Sequence, residues 1–278
     1  MTSELFSLKG KTAVLTGAGG FFGAYFTQAL LEFGAEVILI ELAPEKLRFF
    51  SERYESEKYE NRYKSYFVDL YDHRAAAKCY EKILESEKRI DILVNNAFDF
   101  SPRTGFCPDD SGTLRKASYD QLRNAFDSGV YWAVQATQIF GGHMQDLGNG
   151  SIINICSMYS VVAPDPELYA GTRHSPNPPG YGIVKAGLLA FTKYAAGFLA
   201  PVRVNAISPG AFPNLDEKHE RAGKSYEGDF MERLRARTLL KKFGHPRDLM
   251  GVLVFLASDA SSYITGQNII IDGGLTVI

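Results

Sequence analysis

Thr12-Ala13-Val14-Leu15-Thr16-Gly17-Ala18-Gly19-Gly20-Phe21-Phe22-Gly23 is the stretch on which the fold turns. A β-branched, apolar run passes straight into glycines, and an amphipathic pattern from Phe22 to Phe33 follows. Glycines placed there let the backbone approach a pyrophosphate, which the N–H groups and positive end of the next helix then hold. A tight strand-to-helix turn without any ligand is the plainer alternative. The spacing is G-x-x-G-x-x-G at Gly17, Gly20 and Gly23, with Gly19 between and Phe22 in the sixth place of the stricter G-x-G-x-x-G pattern. The next apolar run, Val37 to Glu41, ends on a carboxylate 24 positions after Gly17. A carboxylate at that point accepts from both ribose hydroxyls of an adenosine and repels a 2′-phosphate, which favours NAD over NADP. A solvated strand-end glutamate is the competing reading. Gly10-Lys11-Thr12 imitates the end of a P-loop, but Leu5 stands where its opening glycine belongs and the strand follows the lysine instead of preceding the loop.

Outward from this start, short β-branched runs alternate with longer amphipathic ones. The strands are expected at Thr12 to Thr16, Val37 to Glu41, Tyr63 to Val68, Ile90 to Asn95, Ser151 to Cys156, Val202 to Ile207 and Asn268 to Asp272. Helical patterns fill the gaps, such as Tyr119 to Gln138. Continuously apolar strands separated by helices imply an α/β, doubly wound, mostly seven-stranded parallel sheet, a Rossmann fold, covered on both faces. Pro and Gly cluster only at 171–180 and 208–214, no repeat or linker interrupts the chain, and one domain over residues 1–278 is expected.

Of the 278 residues, 45% are hydrophobic and 22% charged, and 30 Lys plus Arg against 32 Asp plus Glu leave a net charge of −2. Such a chain has no global positive field for nucleic acid or anionic lipid. Cys79, Cys107 and Cys156 are odd in number and far apart, which fits neither a disulfide framework nor paired zinc ligands. The five histidines never fall at i, i+4, so no metal site is expected. Glu4, Lys9 and Lys11 break up the first apolar residues, and no apolar run approaches the ~20 residues of a spanning helix. A cytoplasmic protein without membrane contact is the expectation.

Tyr181 and Lys185 stand at i, i+4 and so share one helix face. The ammonium is expected to favour the ionised phenol, lowering a pKa that starts near ~10 and making Tyr181 a usable acid or base. Ser157, leaving the fifth strand, would hydrogen-bond the oxygen of a small-molecule substrate. Tyr54 and Lys58 repeat the spacing, but inside the charge run SERYESEKYENRYK, which reads as a solvated segment. Tyr159 and Tyr169 lack a lysine four residues on. Arg173 follows Tyr169 by four, but across Gly171 in a loop.

These motifs together make the chain resemble the short-chain dehydrogenase/reductase family from about Leu8 to Gly274. The resemblance rests on Thr16 to Gly23, Asp69, Asn95-Asn96-Ala97, Ser157, Tyr181-Gly182-Ile183-Val184-Lys185, Ser208-Pro209-Gly210, Gly266-Gln267 and Asp272-Gly273-Gly274. It implies Ser157, Tyr181 and Lys185 as catalytic residues. It implies a dinucleotide along Gly17, Gly19, Gly20, Phe21, Phe22, Gly23 and Glu41, with Asp69 and Leu70 at the adenine. Asn95 would stabilise the strand-end turn near the cofactor and, with Asn96 and Ala97, lie beside it; Tyr181 and Lys185 would also touch it, and Pro209, Gly210 and Phe212 would flank the nicotinamide.

Two departures qualify the resemblance. The glycine spacing is that of the family's longer, sugar-nucleotide branch, with Phe21 in place of a middle glycine. Ser128 stands where many members carry the asparagine of a proton relay; it either organises water or is a plain helix residue. Ser157 and Tyr181 are 24 residues apart, longer than the family's usual spacing, and the insertion of about 158–180 carries Asp165, Glu167, Tyr169, Thr172, Arg173 and His174. It shapes the substrate pocket or is an inert excursion. Its PD…LY.GT…PP.Y pattern is similar to oxidoreductases of bacterial surface-sugar and sialic-acid-like pathways, which implies a sugar or nucleotide-sugar substrate. A second loop at about 211–243 is a substrate lid or a solvated helix, and its mixed charges argue against nucleic acid. The alternatives are a 3-oxoacyl or small-ketone reductase using NADPH, and a catalytically silent dinucleotide sensor or scaffold. Apolar residues on 119–140 and 181–199, among them Tyr131, Trp132, Phe191, Tyr194 and Phe198, exceed what one sheet face needs, and the resemblance implies that these two helices pair into a homodimer or homotetramer.

Overall fold

Alternation within each strand decides what lies on either side of the sheet. In the computed structural model, which describes residues 3–48, 59, 61–172, 174–214 and 229–278, Ala13 and Leu15 of β1 (Thr12–Thr16) join one buried cluster and Val14 joins the other. In β2 (Glu36–Glu41), Val37 and Leu39 take the first side and Ile38 and Ile40 the second. The other strands are β3 (Tyr63–Phe67), β4 (Ile92–Asn95), β5 (Ser151–Ile155), β6 (Arg203–Pro209) and β7 (Asn268–Ile271). All six pairings are parallel, in the order β3-β2-β1-β4-β5-β6-β7. The expected doubly wound sheet is thus present.

Helix α1 (Phe21–Glu32) buries Phe26, Leu30 and Leu31 on the first side, together with Leu249 and Leu253 of a late helix, Arg247–Ala257. On the second side, Tyr80 and Ile83 of α2 (His73–Ser86) meet Phe140 and Met144 of α3, which runs over 119–146. Helix α4 (Pro179–Phe198) completes that layer, α5 is Asp229–Arg237, and the late helix is α6.

Three boundaries differ from the sequence reading by two residues or more. Helix α3 continues past Gln138 because π turns at Asp127–Tyr131 and Thr137–Gly141 change its facing without breaking it. Strand β6 runs on through Ser208 and Pro209, which pair with Ile270 and Ile271 of β7, while its pairing with β5 has already ended at Ile207, so the terminal proline interrupts no bond on that side. Ile90, expected in β4, is fully buried but precedes the strand. The chain winds outward from β1 to β3 and then returns to place β4 beside β1. Ligands bind at such a switch, beyond the carboxyl ends of the strands.

Candidate active site

The glycine turn is held by the neighbouring strand. Thr16 Oγ1 accepts from the N–H groups of Asn96 and Ala97 at 3.1 and 3.2 Å, and Asn96 Nδ2 donates to the carbonyls of Thr16 and Gly17 at 3.2 and 2.9 Å. Gly17 has φ +66° and lies so close to Ala97 that a Cβ would meet its Cα at 2.8 Å. Gly20, the N-cap of α1, makes no side-chain cap, so the positive end of the helix opens on the cleft. A backbone cradle with free helical N–H groups fits a pyrophosphate.

Glu41 lies at the next carboxyl end. Its carboxylate accepts from the N–H of Gly19 at 2.9 Å and from that of Leu42 at 2.7 Å, so it braces the glycine turn as well as facing the cleft. The cleft has a volume of about 800 Å³. It gathers Gly17, Gly19, Gly20, Phe21, Phe22, Glu41, Asp69, Leu70, Asn96, Ala97, Ser157, Tyr181, Lys185, Pro209, Gly210 and Phe212 in one wall. A groove of this size, with a strand-end carboxylate at one end and a tyrosine at the other, fits a nicotinamide dinucleotide along its length.

Three expected site residues lie off that wall. Gly23 is buried in α1, where a Cβ would meet the carbonyl oxygen of Gly17 at 2.2 Å. Asn95, on the central strand, points into the layer under α3, donating to Asn154 Oδ1 at 2.8 Å and Thr137 Oγ1 at 3.2 Å, and the strand-end turn is tied by Asn96 instead. Ser128 is buried in the first π turn, where its hydroxyl reaches the carbonyl of Ala125 at 3.4 Å and Tyr71, with no bond to Lys185.

Tyr181 and Lys185 share one face of α4, turned toward the end of β5 and Phe98, beside the face that packs on α3 through Gly180 and Val184. Gly129 permits this approach, since a Cβ there would meet Val184 Cγ2 at 2.2 Å. Lys185 is buried, donates to the carbonyl of Ile155 at 2.8 Å and lies 4.9 Å from the ring centre of Phe98. Burial pushes its ammonium down to about 8. Ser157, also buried, caps the turn after β5 by accepting from the N–H of Tyr159 at 3.2 Å, and it hydrogen-bonds Tyr181. The expected lowering of the Tyr181 phenol is corrected here. Burial pushes it up to about 12, the Ser157 bond lowers it in part, and Lys185 stands 5.9 Å from its ring centre with Nζ turned to Ile155.

The wall also contains residues that the sequence reading missed: Lys46, Tyr71, Trp132 and the segment Phe98-Asp99-Phe100-Ser101 with Arg103. Tyr71 Oη donates to Asp99 Oδ2 at 2.8 Å, and Arg103 lies over the Tyr71 ring at 3.9 Å. The visible signal was three phenylalanines within nine residues directly after Ala97.

The 158–180 insertion turns away from this wall. Arg237 pairs with Asp165 and lies 3.7 Å from Glu167, while Arg233 donates to the carbonyls of Glu167 and Ala170 at 2.9 and 2.7 Å. Phe230 packs at a tilt against the rings of Tyr169 and His174, with centres 5.0 and 4.5 Å away. The insertion and α5 therefore form one clasp, with a second cavity of about 190 Å³ between them and the C-terminal residues Leu275 and Ile278. Tyr54, Lys58, Arg173 and residues 215–228 of the second loop lie outside the described residues. Among the described residues, no group of three or more His, Cys, Asp or Glu is arranged for a metal, and no helix is long and apolar enough to cross a membrane.

This fold and wall define a nicotinamide-dependent oxidoreductase of alcohol and ketone groups, and the chain belongs to the short-chain dehydrogenase/reductase family. A family model described as enoyl-(acyl carrier protein) reductase matches residues 21–276. The chain is 31% identical over 275 residues to the 3-oxoacyl-acyl-carrier-protein reductase FabG of Thermotoga maritima, covering 97% of this chain and 99% of that one. It is 31% identical over 284 residues to gluconate 5-dehydrogenase of Gluconobacter oxydans, covering 99% and 98%. The structure of a gluconate 5-dehydrogenase from Burkholderia cenocepacia in complex with NADP and tartrate superposes with a TM-score of 0.81, at 26% identity and with all of both chains covered.

Proposed function

We propose that the protein interconverts a hydroxyl and a ketone on a sugar or nucleotide sugar, with NAD preferred over NADP. The observation that carries the reaction is the convergence of Ser157, Tyr181 and Lys185 on one end of the cleft, with the glycine turn and Glu41 at the other. The bound dinucleotide would supply or accept the hydride. Ser157 and Tyr181 hydrogen-bond the substrate oxygen, and Tyr181 transfers the proton. With its hydroxyl pushed up to about 12, Tyr181 keeps its proton at neutral pH and enters as the acid, so ketone reduction requires no prior ionisation. Lys185, protonated at neutral pH, places a positive charge beside the developing alkoxide.

The sugar reading draws support from gluconate 5-dehydrogenase among the relatives. NAD preference draws on the Glu41 carboxylate, against which a 2′-phosphate pays repulsion. Lys46 on the same wall and the NADP of the similar gluconate 5-dehydrogenase favour the opposite choice. Turnover of a panel of sugars and nucleotide sugars, run in parallel with NAD and NADP, tests both; activity confined to 3-oxoacyl thioesters with NADPH would overturn the reading.

A further inference from the structure

Three phenylalanines crowd the ring of Tyr181. Phe98, Phe100 and Phe106 have ring centres 5.3, 5.8 and 5.5 Å from it, and Phe100 lies 4.7 Å from Phe98 and 5.1 Å from Phe106. Phe98 and Phe106 are half-buried supports, whereas Phe100 is 63% exposed and faces the cleft. Their loop is fixed by hydrogen bonds. Thr104 Oγ1 donates to the carbonyls of Asp99 and Ser101 at 2.6 and 3.0 Å, and Asn124 of α3 donates to that of Arg103 at 3.2 Å. A large apolar ring is thus held in the open beside the proposed acid. At the same time the polar groups of the 158–180 insertion, Asp165 and Glu167, are spent on Arg237 of α5.

We infer that Phe100 is a stacking platform and that the substrate is a ring-shaped polyhydroxy compound, an inference that rests on the oxidoreductase reading above. A six-membered chair carries equatorial hydroxyls around its rim and axial C–H groups on its faces. Laid on Phe100, it removes apolar surface from water while its rim hydroxyls stay free for Tyr181, Ser157 and solvent. An acyclic polyol carries hydroxyls on every side, and pressing one against a phenyl face leaves a hydroxyl without a partner. Specificity therefore resides in the loop after β4, and the insertion supports it from behind, where the ring of Tyr159 lies 6.3 Å from that of Tyr181 and Pro178 abuts Gly105.

The test compares oxidation of two ring alcohols, myo-inositol and methyl α-glucopyranoside, with that of two acyclic compounds, sorbitol and gluconate, using NAD+ and NADP+ in separate arms. The ring compounds should lead in kcat/KM, and Phe100→Ala should cut that lead roughly tenfold through KM, the scale of one aromatic contact. Phe100→Trp should restore it, which a merely structural role for Phe100 would not produce. A preference for the acyclic compounds, or an unchanged cyclic-to-acyclic ratio in Phe100→Ala, overturns the inference and leaves the oxidoreductase reading standing. Absence of turnover across the panel overturns the inference, and turnover that survives Tyr181→Phe overturns both.

Discussion

Lys185 donates from Nζ to the carbonyl oxygen of Ile155 at 2.8 Å, so the ammonium is tethered to the end of β5 and not to the phenol four residues before it. The i, i+4 spacing put both side chains on one face of α4, but the destination of the ammonium depends on a carbonyl that only the sheet supplies. The phenol consequently feels burial more than charge.

That burial makes Lys185 a pH-sensitive element. Its charged form is penalised in the folded state, fully below about pH 8, and the penalty disappears as pH rises toward the unfolded value of 10.5. The difference corresponds to about 3 kcal/mol, offset in part by the bond to Ile155. Lys185→Met should therefore stabilise the protein near neutrality, and its advantage should shrink between about pH 8 and 10.5. Urea unfolding of both proteins across that range reads this directly; an advantage independent of pH would contradict it. The reduction rate of the native enzyme should fall above about pH 8, as the lysine loses its proton.

Glu41 combines a brace and a discriminator. Glu41→Gln removes the charge and keeps one acceptor oxygen, enough for either the Gly19 or the Leu42 N–H but not both, so it should narrow the gap between NADH and NADPH at some cost to the glycine turn. Glu41→Ser should narrow it as well, while also loosening the turn. Dissociation constants for the two cofactors decide the point, and NADPH binding equal to or tighter than NADH in the native enzyme rejects the preference.

The clasp between the insertion and α5 predicts coupling. Asp165→Ala and Arg237→Ala should each lower catalytic efficiency with NAD affinity unchanged, and the double variant should lose less than the sum, since both remove one ion pair. The stability cost should stay within about 1 kcal/mol, because the pair is partly exposed. Additive losses would show that the two residues act separately.

The sheet was legible because its signals are local. β1 falls at its expected residues, Thr12 to Thr16, and the other strands lie within two residues at each end, because continuous β-branched runs bounded by glycine or proline leave few alternatives. The wall from Gly17 to Phe212 was legible for the same reason, as it follows strand ends. Partnership between distant residues was not. Nothing in the sequence of Asn95-Asn96 says which turns inward, and nothing beside Asp165 announces Arg237, 72 residues away. The aromatic loop after Ala97 was visible as composition, but its closeness to Tyr181 arises only when α4 packs on Gly129.

Assembly is a further expectation. Tyr119, Leu122 and Phe126 of α3 and Ile183, Tyr194 and Phe198 of α4 are exposed, with Tyr194 and Phe198 stacked at 4.3 Å. Trp132 and Phe191, by contrast, are half-buried against the second core. Exposed apolar area of this kind marks a contact surface. Light scattering at micromolar concentration should give a dimer or tetramer, and Tyr194→Glu with Phe198→Glu should shift it to monomer; a monomeric native protein would refute the pairing.

The central assignment is the proton at Tyr181, and one measurement addresses it: single-variant turnover of Tyr181→Phe beside its NAD dissociation constant. A loss of about two orders of magnitude or more, with NAD binding retained and Tyr54→Phe at native turnover, is the expected result for removal of a general acid/base. Near-native turnover by Tyr181→Phe, or a larger loss in Tyr54→Phe, would contradict it.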